Sequence, residues 1–131
     1  MYAAATRGPC SYTTFYARRG VLSAKRDELR RLVRGLYRTQ KWLQGAGADA
    51  IVAAIRSYFP AEPADLLRAA ISRYQALGIW GRTPILPLEG YERLKAGLIS
   101  GGFAKGTSYA TAVDNSLAEM AVRDDPPALT G

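Results

Sequence analysis

The chain has 131 residues, 48% hydrophobic and 22% charged, a balance that places it among globular rather than disordered proteins. It contains no histidine and a single cysteine, Cys10, which excludes Ser/His and Cys/His dyads, His-ligated metals, an internal disulfide and any cysteine-rich metal site. The net charge of +7 is local: residues 1–43 hold ten Lys and Arg against Asp27 and Glu28, while the remainder holds eight against nine acids.

No run of about 18 apolar residues is present, so no membrane-spanning helix is expected. The opening MYAAATRGPC lacks the apolar segment of a secretory signal, so the chain is expected to carry no export address of its own. The first predicted element is a strand over residues 10–17, CSYTTFYA, where β-branched and aromatic residues dominate behind a Gly8-Pro9 turn. A long helix follows in VLSAKRDELRRLVRGLYRTQKWLQGAG. Ser23 is its predicted N-cap, Leu29, Leu32, Val33, Leu36, Gln40 and Leu43 fall on one face, and Gly45/Gly47 form the stop. A short helix is predicted from an Asp49 cap to Pro60, with Ile51, Ile55, Tyr58 and Phe59 inward.

The next helix starts near Pro63, carries Leu66, Leu67, Ala70, Ile71, Tyr74 and Leu77 as its apolar stripe, and ends at Gly78. IWGRTPILP, residues 79–87, reads as a loop with Ile79 and Trp80 as apolar knobs. A helix in LEGYERLKAGLIS stops at Gly101-Gly102. FAKGTSYATAV crosses as a loop to a last short helix in DNSLAEMAV, and residues 123–131 are expected to be a frayed, disordered tail. The expected content is therefore mostly α, about five helices with one N-terminal strand. A solitary strand leaves its backbone N–H and C=O groups unpaired, so its partners must lie outside this segment or in a second copy.

The ordered series GPCSYTTFYARRGVL, RDELRRLVRGLYRTQKWL, IRSYFPAEPADLLRAAISRYQALGIW, PILPLEGYERLKAGLISGGF and YATAVDNSLAEMAV resembles the C-terminal part of a substrate-binding protein of bacterial ABC importers. The similar branch is the sulfonate/nitrate/taurine and thiamine-precursor type. The resemblance covers residues 8–122 and rests on order and spacing rather than on one motif: a YTT-like strand entry, a long helix ending in Trp, a YFP break, an LGIW knuckle and a closing VDNSLAE helix. It implies an α/β parent fold of the type II periplasmic-binding-protein kind, two lobes closing on a small solute, with residues 1–122 as a C-terminal portion. It further implies partners: a small anionic or heterocyclic solute, a membrane permease and the missing N-terminal lobe. The full-length protein would be periplasmic or membrane-anchored.

Tyr12, Thr13 and Thr14, Tyr12 first among them, are the candidate ligand-binding residues, and Tyr16 belongs to the same run of hydroxyls. Their neutral hydroxyls suit an oxyanion held by a few convergent donors, although alternation places Thr13 on the face opposite Tyr12 and Thr14. The same residues also suit a strand on β-propensity alone. Arg30, Arg34, Arg38 and Lys41 project opposite the apolar stripe, either as a phosphate-tracking face or as the solvated side of an amphipathic helix. The second reading is favoured because no helix-turn-helix or zinc-finger pattern accompanies them, and a small basic helical nucleic-acid-binding protein is the alternative function. Trp80, Trp42 and Cys10 read as packing residues. With no Gly-rich phosphate loop and no paired carboxylates at a defensible spacing, neither enzyme chemistry nor a cofactor is expected.

Overall fold

The computed structural model describes residue 8 and residues 10–130, which fold mostly into helices. They are α1 (Arg19–Ala24), α2 (Arg26–Gly45), α3 (Ala48–Ile55), a 3₁₀ turn at Arg56–Tyr58, α4 (Ala64–Leu77), α5 (Leu88–Ser100), α6 (Tyr109–Ala112) and α7 (Ser116–Asp124).

The predicted strand over 10–17 is not formed, and no strand occurs among the described residues. The Ser11 N–H donates to the Gly90 carbonyl at 3.2 Å and the Tyr12 N–H to that of Cys10 at 3.0 Å; from Thr13 to Ala17 no backbone N–H has a carbonyl partner among the described residues. The reason is physical: β-propensity expresses itself against a neighbouring strand, and every other described element is helical.

The long predicted helix is split. Lys25, at φ −118° and ψ 31°, interrupts it between α1 and α2. Ser23 lies inside α1 and does not cap α2; its hydroxyl donates to the Arg19 carbonyl one turn back at 3.3 Å. Asp27 and Glu28 occupy the first turn of α2, where the helix dipole favours negative charge. Asp49 is likewise not a cap. Gly47 holds that position and Asp49 sits in the first turn of α3, its carboxylate 2.5 Å from Nε of Arg68 on α4.

Tyr58 and Phe59, expected inward, are 79% and 45% exposed. The tighter 3₁₀ winding of residues 56–58 takes them off the helical stripe that buries Ile51. Leu66, Leu77 and Tyr74 at the margins of the α4 stripe are also exposed, whereas Ile71 is buried. Helix α4 ends as its sequence requires: Gly78 takes a left-handed conformation (φ 61°, ψ 34°), with its N–H on the Gln75 carbonyl and that of Ile79 on Tyr74.

Two packing centres result. Ile51, Val52 and Ile71 join α3 to α4, with Trp42, Leu43, Leu67 and Trp80 packed around them. Tyr37 of α2 and Ala118 and Ala121 of α7 are buried where those helices meet; two alanines at i,i+3 let the backbones approach closely. The tail expected to fray runs back along α2. Pro126 is fully buried, Arg38 Nε donates to the Pro127 carbonyl at 3.0 Å, Lys41 Nζ to that of Pro126 at 2.8 Å, and the Leu129 N–H to that of Arg38 at 3.3 Å. Asp125, left-handed at φ 41°, turns the chain for this return and pairs with Lys41.

The core is small for the mass. A folded monomer of 14.2 kDa is expected to expose about 6,800 Å², and this chain exposes 9745 Å². The excess includes Tyr12, Phe15, Tyr16, Leu66, Ile79, Leu88 and Phe103, all more than half exposed.

Candidate functional site

The segment bearing the predicted ligand residues is pinned at its start and open beyond it. Gly90, in the first turn of α5, is buried under Ser11, and a Cβ there would overlap the Ser11 hydroxyl. Gly8, at φ 81°, lies under the Arg93 guanidinium. Past that anchor Tyr12 is 83% exposed, Thr13 and Thr14 are exposed, and the three hydroxyls meet no hydrogen-bond partner among the described residues. They lie outside both concavities described below. Cys10, expected to be buried, is exposed.

The basic face of α2 is largely occupied. Besides Arg38 and Lys41, Arg34 stands 3.9 Å from Asp124; Arg30 is exposed. Nearer the start of the helices, Arg19 donates to the Thr111 carbonyl at 2.9 Å and Arg26 to the Ser116 hydroxyl at 3.5 Å. Oxygen atoms of residues 111–127 thus engage Arg19, Arg26, Arg34, Arg38 and Lys41, two of them in ion pairs, which leaves fewer cationic donors of α2 free to track a phosphate backbone.

Polar chemistry also organises the junction ahead of α7. The Leu86 N–H donates to Asn115 Oδ1 at 3.0 Å, and Asn115 Nδ2 donates to the Leu86 carbonyl at 3.1 Å and to the Tyr109 hydroxyl at 2.8 Å; that hydroxyl donates to the same carbonyl at 2.5 Å. One side-chain amide satisfies both backbone groups of Leu86. Asp114 accepts from the Ser116 N–H at 2.9 Å, and its hydrogen bonds with Ser116, reinforced by the charges of Arg26 and Arg19, hold its carboxyl below the usual range. These contacts are struts that fix the 86–87 loop against α6 and α7.

Two concavities among the described residues bear on binding. One, of about 240 Å³, opens at the C-terminal end of α4, where Tyr74, Gln75, Trp80, Arg82 and Gln44 line it. The other, of about 320 Å³, lies between α5 and the 104–107 loop and is lined chiefly by Tyr91, Leu94, Leu98 and Ala104 with Lys95 and Lys105 at its edge. Among the described residues no group of three or more acidic or cysteine side chains is placed to hold a metal ion, and no helix is long and apolar enough to cross a membrane. Sequence reasoning treated Trp80 as a packing knob. It does pack against the α3–α4 core, yet it also walls the first concavity beside Arg82; the signal for this was the Gly-Arg pair that follows it.

No protein-family model matches the chain, and no solved structure matches it. It is 27% identical over 113 residues, 86% of its length, to a protein of Bacillus subtilis (strain 168) described as "Putative binding protein YtlA". The chain spans about a third (34%) of that relative's length. The similarity supports a relation to binding proteins.

Proposed function

We propose that this chain is the C-terminal portion of the solute-binding component of a bacterial ABC importer, of the sulfonate, nitrate, taurine or thiamine-precursor type. The observation that carries the reading is the similarity, over most of this chain, to a protein described as a binding protein three times its length. The surface supports it. Tyr12, Phe15, Tyr16, Leu66, Ile79, Leu88 and Phe103 are each more than half exposed, apolar surface that a further lobe would cover. Residues 12–17 have strand chemistry and no strand to pair with.

In a two-lobed α/β binding protein an N-terminal lobe supplies both the sheet and the cover. Tyr12, Thr13 and Thr14 would then stand at a crossover between lobes, where hinge closure brings hydroxyl donors onto a small anionic or heterocyclic solute. The protein would capture and deliver that solute to a membrane permease without chemistry and without a cofactor, in the periplasm or anchored at the outer face of the cell membrane.

The test is the intact mass of the native product in the source cells, followed by isothermal titration of that product with taurine, longer alkanesulfonates, nitrate and an aminopyrimidine thiamine precursor. A product well above 14.2 kDa that binds one member of the panel supports the proposal. A 14.2 kDa product that binds none of them, and that binds nucleic acid with an affinity falling steeply with salt, replaces it with the alternative.

A further inference from the structure

The concavity at the end of α4 has a composition of its own. Gly78 turns the chain left-handed out of α4, and the next residues fold back so that Trp80 meets the Tyr74 ring edge-on, with centroids 6.1 Å apart and planes at 82°. The knuckle is fixed from beneath. Gln40 Nε2 donates to the Thr83 carbonyl at 3.1 Å, and a Cβ on Gly81 would lie 3.3 Å from that same nitrogen. The floor is fixed as well, because Gln75 Nε2 donates to the Ala46 carbonyl at 2.8 Å. The backbone that presents Trp80 and Arg82 is therefore braced, while the exposed Arg82 side chain is left free to turn toward an occupant.

The chemistry of the lining is one-sided. Arg82, like Arg30, Arg31, Arg73 and Arg123, has no hydrogen-bond or ion-pair partner among the described residues; it is the one of these that lines the concavity. No carboxylate lines the concavity. A guanidinium stays charged at every physiological pH and offers a planar fork of donors matched to a carboxylate. Two aromatic side chains beside it supply a surface for a flat apolar body. At about 240 Å³ the space falls below the roughly 300–1,000 Å³ of typical ligand clefts, which limits the occupant to a small molecule.

We propose that the Tyr74–Trp80–Arg82 concavity is a binding site for a small aromatic carboxylate, with the carboxylate on Arg82 and the ring against Trp80. This site is separate from Tyr12–Thr14, and the inference does not rest on the importer reading.

The test is a ¹H–¹⁵N correlation titration of the 131-residue chain with sodium benzoate, with benzamide as the neutral match of the same shape. The expected result is a saturable shift of the Trp80 indole N–H and of the Gly78 and Gly81 amides with benzoate, and binding of benzamide weaker by about tenfold or more. Arg82→Gln, a change at an exposed side chain, is expected to leave the rest of the spectrum in place and to reduce benzoate to the benzamide level. Equal binding of the two probes, unchanged benzoate binding by R82Q, or shifts confined to the arginines of α2 would overturn the proposal.

Discussion

Ile51 is the most informative single side chain for the packing described. It is 2% exposed, at the centre of the cluster with Val52 and Ile71. Ile51→Ala removes three carbons that are all buried, about 2.4 kcal/mol of transfer free energy at about 0.8 per methylene. The unfilled space adds to this and brings the expected loss to about 3–4 kcal/mol. Ile51→Val removes one carbon and is expected to cost about 1 kcal/mol. Stability of a chain this size runs from about 7 kcal/mol upward, and the few buried side chains put this one near the lower end. Ile51→Ala therefore takes close to half of it. Urea unfolding reports the loss through helical circular dichroism and through tryptophan fluorescence, since Trp42 and Trp80 both flank the cluster. An Ile51→Ala chain within 1 kcal/mol of the parent, or no weaker than Ile51→Val, would refute the placement of the core at the α3–α4 junction.

Three further outcomes follow from named contacts. Asp114 has a native pKa below its unfolded value of about 3.9, so its stabilising contribution is complete above that value and is lost as pH falls through the lower native one. Acid titrations of the parent and of Asp114→Asn should differ in slope below about pH 4, and coincident curves would contradict the assignment. Asn115→Ala strands the Leu86 N–H, while the Leu86 carbonyl keeps the Tyr109 hydroxyl, and is expected to cost about 1 kcal/mol, read as a lowered urea midpoint. Gly78→Ala places a side chain at φ 61° and is expected to cost about 1 kcal/mol; a neutral result in thermal melts would mean that the C-terminus of α4 is not closed by a left-handed residue.

Much of the helical framework was legible in the sequence because its punctuation is local. Gly78 and the Gly101-Gly102 pair end helices through their own backbone freedom, and the span of α5 was read to the residue because Pro87 precedes it and the glycines follow it. Ser23 and Asp49 misled for a related reason. A cap residue is recognised by type, but whether it caps depends on the geometry of the turn before it, which propensity does not report.

Composition, the missing histidine and the spacing of Leu29, Val33, Leu36 and Ile71 were settled by the sequence alone, since each is a property of single residues or of one helix face. The tertiary structure decided what those faces meet. It turned Arg38 and Lys41 into the seat of the C-terminal tail, because carbonyls exposed past the end of α7 need donors and these two supply them. It left residues 12–17 without a strand partner, because a strand is made by its neighbour. It also placed Arg82 beside Trp80 and Tyr74, an arrangement created only when the knuckle after Gly78 folds back over α4.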